Sequence, residues 1–150
     1  MTTHLIILGF TGTRNGMTDK QKISFRTLLN AFLIKTNRDT KITFNHGDCF
    51  GADADAHGIC REALIRDINC YPCNLSNQRA FTDAKQIGDP LPPLERNRII
   101  ADGCDVLIAC PATGHEEQRS GTWATIRHRD RMQGRYIIIW PDGSIGEDFQ

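Results

Sequence analysis

The sequence carries no surplus of charge: 18 Lys and Arg stand against 18 Asp and Glu, so the formal net charge at pH 7 is zero. A protein that grips nucleic acid by neutralising phosphates needs a basic excess, so no nucleic-acid partner is expected. No apolar run approaches the roughly 20 residues that cross a bilayer, so no membrane partner is expected either. The opening run from Met1 to Leu8 is too short for the apolar region of a secretory signal and lacks the basic residues that precede one. Internal repeats and low-complexity tracts are absent. So are the spacings of a Walker A loop and of a dinucleotide fingerprint. Six cysteines, Cys49, Cys60, Cys70, Cys73, Cys104 and Cys110, are scattered through the chain. With no export signal they read as reduced thiols, several of them buried, and the expected location is cytoplasmic.

What is present suits one globular domain spanning residues 1–150. Hydrophobic residues make up 39% and charged residues 24% of a chain long enough to bury a core without disulfides. His4 to Gly9 is an apolar run closed by glycine, as in a strand buried on both faces. Thr18 and Gln21 have capping-box spacing, and Phe25, Leu28, Leu29 and Phe32 recur at helical intervals, which predicts a helix over 18–35. A strand over 41–46 runs into a second helix whose stripe is Ala56, Ile59, Cys60, Ala63 and Leu64. Further strands are expected over 67–71, 104–110 and 136–140, with helices over 94–102 and 121–132. The segment 74–93 contains no periodic element, and a polar tail follows Trp140. This alternation implies a Rossmann-like three-layer α/β/α sandwich around a mostly parallel five-stranded sheet.

In such a sheet, ligands bind at the carboxyl ends of the strands, so three loops carry the functional expectation. The first, Gly9–Gly16, offers Gly12, Thr13 and Arg14: backbone that can approach an anion, a hydroxyl, and a planar cationic fork. The second, His46–Asp53, contains Gly47, Asp48, Gly51, Ala52 and Asp53 and leads into a helix whose free N–H groups form an anion site. Asp53 there reads first as the helix N-cap. The third, Pro111–Thr122, places Ser120, Gly121 and Thr122 at another helix start, where they would wrap a phosphate. Its Glu116 and Glu117 are the candidate catalytic carboxylates. Arg96 and Asn97, opening the helix before the fourth predicted strand, are placed to reach the same cleft.

Other features take structural readings. His46 and His57 fit no standard metal spacing, and no metal or cofactor is expected. Cys70 and Cys73 form a lone CxxC at a strand end, without the helix N-terminus that activates a redox pair. Arg127, His128, Arg129 and Arg131 read as a solvated helix face.

Gly12-Thr-Arg14, His46-Gly-Asp-Cys-Phe-Gly-Ala-Asp53, Arg96-Asn97, Asp105-Val-Leu-Ile-Ala and Ser120-Gly-Thr122, in that order, resemble the SLOG superfamily. That Rossmann-like group includes the LOG ("lysine decarboxylase-like") phosphoribohydrolases and the YspA-like and YpsA-like proteins. The resemblance covers nearly the whole chain. It implies a nucleotide-type ligand with Arg96 and the Gly121-Thr122 turn near its phosphate, and a dimer as the plausible oligomer. LOG enzymes cleave the N-glycosidic bond of a nucleoside monophosphate with a glutamate in the pattern Pro-Gly-Gly-x-Gly-Thr-x-x-Glu. Here the corresponding position is Thr125, so an intact family hydrolase site is not expected. Three functions follow. The chain binds, senses, carries or sequesters a nucleotide, an NAD-derived signal or a cyclic nucleotide; or it is a nucleotide N-glycosidase using a loop carboxylate; or it is a molybdenum-cofactor carrier or a ligand-free interaction module.

Overall fold

A computed structural model describes residues 4–36 and 39–147 of the chain. Residues 1–3 of the opening run and 148–150 of the tail lie outside the described residues. The elements in order are β1 (His4–Gly12), α1 (Asp19–Lys35), β2 (Thr40–His46), α2 (Ala52–Glu62), β3 (Asp67–Cys70), a 3-10 turn (Ser76–Gln78), β4 (Gln86–Ile87), α3 (Pro93–Asp102), β5 (Val106–Cys110), α4 (Gly121–Arg131), β6 (Tyr136–Ile139) and β7 (Ile145–Glu147). They build one sheet in the order β4-β3-β2-β1-β5-β6-β7, parallel throughout except for the antiparallel pair β6–β7. The fold is a Rossmann-like α/β/α sandwich. The chain steps outward from β1 through β2 to β3 and β4, then returns to the other side of β1 with β5, so strand order reverses between β1 and β5.

The sheet has seven strands where five were expected. β4 is a two-residue strand pairing Gln86 and Ile87 with Asn69 and Cys70. It lies inside the segment expected to be irregular and is too short to produce a period-2 signal. β7 lies in the expected polar tail. Its hairpin turn, Pro141-Asp-Gly-Ser144, is closed by Trp140 N–H to the Ser144 carbonyl at 2.8 Å and carries Gly143 at φ 86°. The Pro-Asp-Gly signal for that turn was in the sequence.

The two faces are packed differently. On one, β1 and β2 present Leu8, Phe10, Ile42 and Phe44 to α1 and α2. Phe10, Phe25 and Phe44 meet pairwise with ring centroids 5.7, 5.8 and 5.9 Å apart. On the other, Ile100 of α3 and Cys104 just beyond it cover Leu107, and Trp123 and Ile126 of α4 cover Ala109. Leu64, expected in the α2 stripe, is instead 81% exposed at φ 63°, because the chain turns left-handed there to leave the helix.

Two buried polar side chains tie the layers together. The Thr18–Gln21 capping box forms as expected, with Gln21 N–H donating to Thr18 Oγ1 at 3.0 Å and Thr18 N–H to Gln21 Oε1 at 2.9 Å. The wholly buried Gln21 amide also donates to the carbonyls of Pro111 and Ile139, at 2.9 and 3.0 Å, and so fixes the start of α1 to the ends of β5 and β6. Arg129, expected on a solvated face, is buried. Its guanidinium donates to the carbonyls of Ala101, Asp105 and Arg135 at 2.7, 2.9 and 3.0 Å. No helix of the described residues is long and apolar enough to cross a membrane.

Candidate functional site

The β1/β5 reversal opens a cleft of about 320 Å³. Parallel strands on either side of a switch point send their following loops in opposite directions, which leaves a crevice at their carboxyl ends. All three expected loops reach it. Of the expected ligand-binding residues, Gly12, Thr13, Arg14, Gly47, Asp53, Arg96, Asn97, Ser120, Gly121 and Thr122 line its wall. Asp48, Gly51 and Ala52 do not. Glu117 lines the cleft, held by a 3.1 Å hydrogen bond from Thr113 Oγ1. Glu116 stays outside, exposed, with a carboxylate oxygen 3.9 Å from Arg127.

At the β5 side, Ser120 caps α4: its hydroxyl accepts from Trp123 N–H at 3.2 Å, and Ala124 N–H bonds the Ser120 carbonyl. A helix leaves its first N–H groups without intrahelical partners. After those two bonds, the N–H groups of Gly121 and Thr122, both cleft residues, have no partner among the described residues at the positive end of the helix dipole. Arg14 and Arg119 also line the cleft, and neither makes an ion pair among the described residues.

At the β2 side the chemistry differs. Gly51, not Asp53, is the N-cap of α2, with φ 92°. Asp53 is a buried residue of the first turn whose carboxylate reaches back to accept from Cys49 N–H at 3.1 Å and from Gly47 N–H. Burial pushes its pKa up to about 6, against the lowering pull of the nearby Arg96 and of those two N–H groups. Arg96 is itself buried and largely committed to the protein. Its Nε donates to Asn97 Oδ1 at 2.7 Å, its Nη1 to the carbonyls of Gly47 and Tyr71, and its Nη2 lies 3.5 Å from Cys49 Sγ. Arg96 therefore braces the floor of the cleft.

The loop glycines serve the same packing. A Cβ on Gly47 would lie 2.5 Å from Arg96 Nη1, and one on Gly51 would lie 2.3 Å from the Arg14 carbonyl oxygen. These glycines let the first two loops and Arg96 approach one another. The sequence expectation had given that role to a ligand.

Asp48 is likewise a structural anchor. Its carboxylate accepts from Arg79 Nε at 3.0 Å and from the N–H and hydroxyl of Thr82 at 2.9 and 2.7 Å. Burial alone would raise its pKa, but the hydrogen bonds from Thr82 and the Arg79 guanidinium together hold it below the usual value. This anchor lays the 78–82 segment along the second loop and brings Gln78 to the cleft wall. Gln78 and Arg119 went unread in the sequence: Gln78 arrives from a non-periodic segment, and Arg119 differs from the chain's other arginines only by position.

His46 and His57 form a hydrogen-bonded relay. Asp48 N–H donates to His46 Nδ1 at 2.9 Å, which leaves His46 Nε2–H to donate to His57 Nδ1 at 3.0 Å, and His57 Nε2 contacts Asp83. Burial first, and then the neighbouring His57, lower the His46 pKa to about 3, so it is neutral at ordinary pH. Cys70 and Cys73 are buried free thiols, and burial pushes Cys70 up to about 11. That is opposite to the shift a redox thiolate needs.

Thr125 donates to the Gly121 carbonyl at 2.8 Å and does not line the cleft. No protein-family model and no curated protein sequence matches the chain. Among solved structures, the fold is similar to the X-ray structure of the structural-genomics protein TM1055, with a TM-score of 0.58 at 14% identity, over 90% of this chain and 72% of that one. At that identity the likeness speaks to the Rossmann-like fold.

Proposed function

We propose that the chain binds a phosphate-bearing nucleotide, nucleoside or NAD-derived or cyclic nucleotide signal in the β1/β5 cleft. The observation that carries this reading is the open first turn of α4, Gly121 and Thr122, facing a cleft that also holds Arg14 and Arg119, which have no ion-pair partner among the described residues. Backbone donors, a helix dipole and two free guanidiniums make an anion site. The buried Asp53 would repel a phosphate once ionised, so the phosphate belongs at the α4 end and the hydroxyl-bearing sugar toward Asp53. The SLOG resemblance supports the same ligand class. The six free cysteines suit a reducing compartment such as the cytoplasm. Calorimetry against 5′-mononucleotides, ADP-ribose derivatives and cyclic nucleotides tests the reading, and the absence of binding across that panel would sink it.

A second reading, nucleotide N-glycosidase, is favoured by one observation: Asp53 is a cleft carboxylate whose pKa is raised to about 6, in the range of a working acid or base. Chromatography for free base after incubation with nucleoside monophosphates or NAD tests it. Activity abolished by Asp53→Asn and spared by Glu117→Gln would assign the group, and unchanged substrate throughout would exclude the reaction.

A further inference from the structure

A second concavity, of about 150 Å³, lies between α3 and α4. Its lining carries Arg98, Arg127, Arg131 and His128 and no carboxylate. Arg127 donates to the carbonyls of Glu117 and Gln118 at 3.2 and 3.1 Å and lies 3.9 Å from the Glu116 carboxylate, and His128 is bonded to Asp102 at 2.7 Å. Arg98 and Arg131 are exposed and make no ion pair among the described residues. The guanidiniums of Arg98 and Arg131 line one hollow without a carboxylate partner among the described residues, and a bound anion would neutralise both.

The groove adjoins the nucleotide cleft. Asn97 lines both, and its Oδ1 is taken by Arg96 Nε at 2.7 Å, which turns the amide NH₂ away from Arg96 and leaves it as a donor between the two hollows. A Cβ on Gly121 would sit 3.8 Å from that nitrogen, so no side chain of Gly121 stands between them.

We propose that the α3–α4 groove is a second phosphate subsite, and that the ligand is of dinucleotide type. One phosphate lies at the α4 N-terminus and a second between Arg98 and Arg131. This deepens the nucleotide reading and rests on it.

The test measures affinities of the four 5′-mononucleotides and the matching 5′-phosphorylated dinucleotides for the wild type, Arg98→Glu and Arg131→Glu. The dinucleotide should bind the wild type about tenfold more tightly than its mononucleotide, the gain expected of one charge-assisted contact pair. Both charge reversals should remove that gain and leave mononucleotide affinity unchanged. Equal affinity of mono- and dinucleotide, or a gain that survives both reversals, overturns the subsite while leaving the nucleotide reading intact. Absence of mononucleotide and dinucleotide binding alike overturns both. If the groove instead seats a second copy of the chain, the reversals shift the sedimentation coefficient and no dinucleotide gain appears, which also overturns the subsite.

Discussion

The Asp53 carboxylate accepts the backbone N–H of Cys49 at 3.1 Å, four residues back, so the side chain expected to cap a helix closes the loop before it. Burial raises the pKa of this acid to about 6 against a usual 3.8, although the bond to Cys49 pulls the other way. The native state binds more protons than the unfolded chain between those values, so the residue lowers stability progressively as pH rises through that window. Asp53→Asn removes the titration. Relative to wild type, the variant should gain about 2 kcal/mol between pH 4 and pH 7, read by urea denaturation at several pH values. A gap that does not change with pH would refute the buried-acid account.

His46 acts in the opposite direction. Its pKa is lowered from 6.5 to about 3, so the unfolded chain takes up a proton that the native state refuses. Its contribution is intact above pH 6.5 and declines as pH falls, by about 1.4 kcal/mol per unit. His46→Gln loses relay hydrogen bonds at neutral pH but also loses this slope. The stability gap between wild type and variant should therefore narrow from pH 7 to pH 4.

Asp48 anchors the segment that carries Gln78. Removing the carboxylate leaves Arg79 and the Thr82 donors without their acceptor, so Asp48→Ala should cost about 3 kcal/mol. Amide exchange should accelerate most at Ala80 and Thr82, which bond Asp48 directly. Uniform acceleration across the sheet would argue against a local anchor.

Gly51 joins the first two loops at a positive φ with the Arg14 carbonyl beneath it. Gly51→Ala forces the loops apart and strains the backbone, an effect of about 1–3 kcal/mol. Because Arg14 moves with its backbone, mononucleotide affinity should fall as well. Gly58→Ala, at an open helix position, serves as the control and should leave affinity unchanged.

Much of the fold was legible because its signals are local. The Thr18–Gln21 box, the helical spacing of Phe25 and Leu29, and the apolar runs at β1 and β5 each depend on a few neighbouring residues whose periodicity matches one element. β4 and β7 were missed for want of length, although the Pro-Asp-Gly turn before β7 was readable.

The sequence by itself determined the alternation of strands and helices, and with it the three loops that gather at the carboxyl ends of the strands. Only the tertiary structure decided which side chains in those loops remain available. Arg96, Asp48, Gly47 and Gly51 are consumed by packing and hydrogen bonding within the protein. Among the described residues, Arg14, Arg119 and the first turn of α4 stay open, and Arg98 and Arg131 line one groove from two helices. Whether a polar group is satisfied depends on partners tens of residues away, such as Arg96 with Gly47 or Asp48 with Thr82. No local pattern records that.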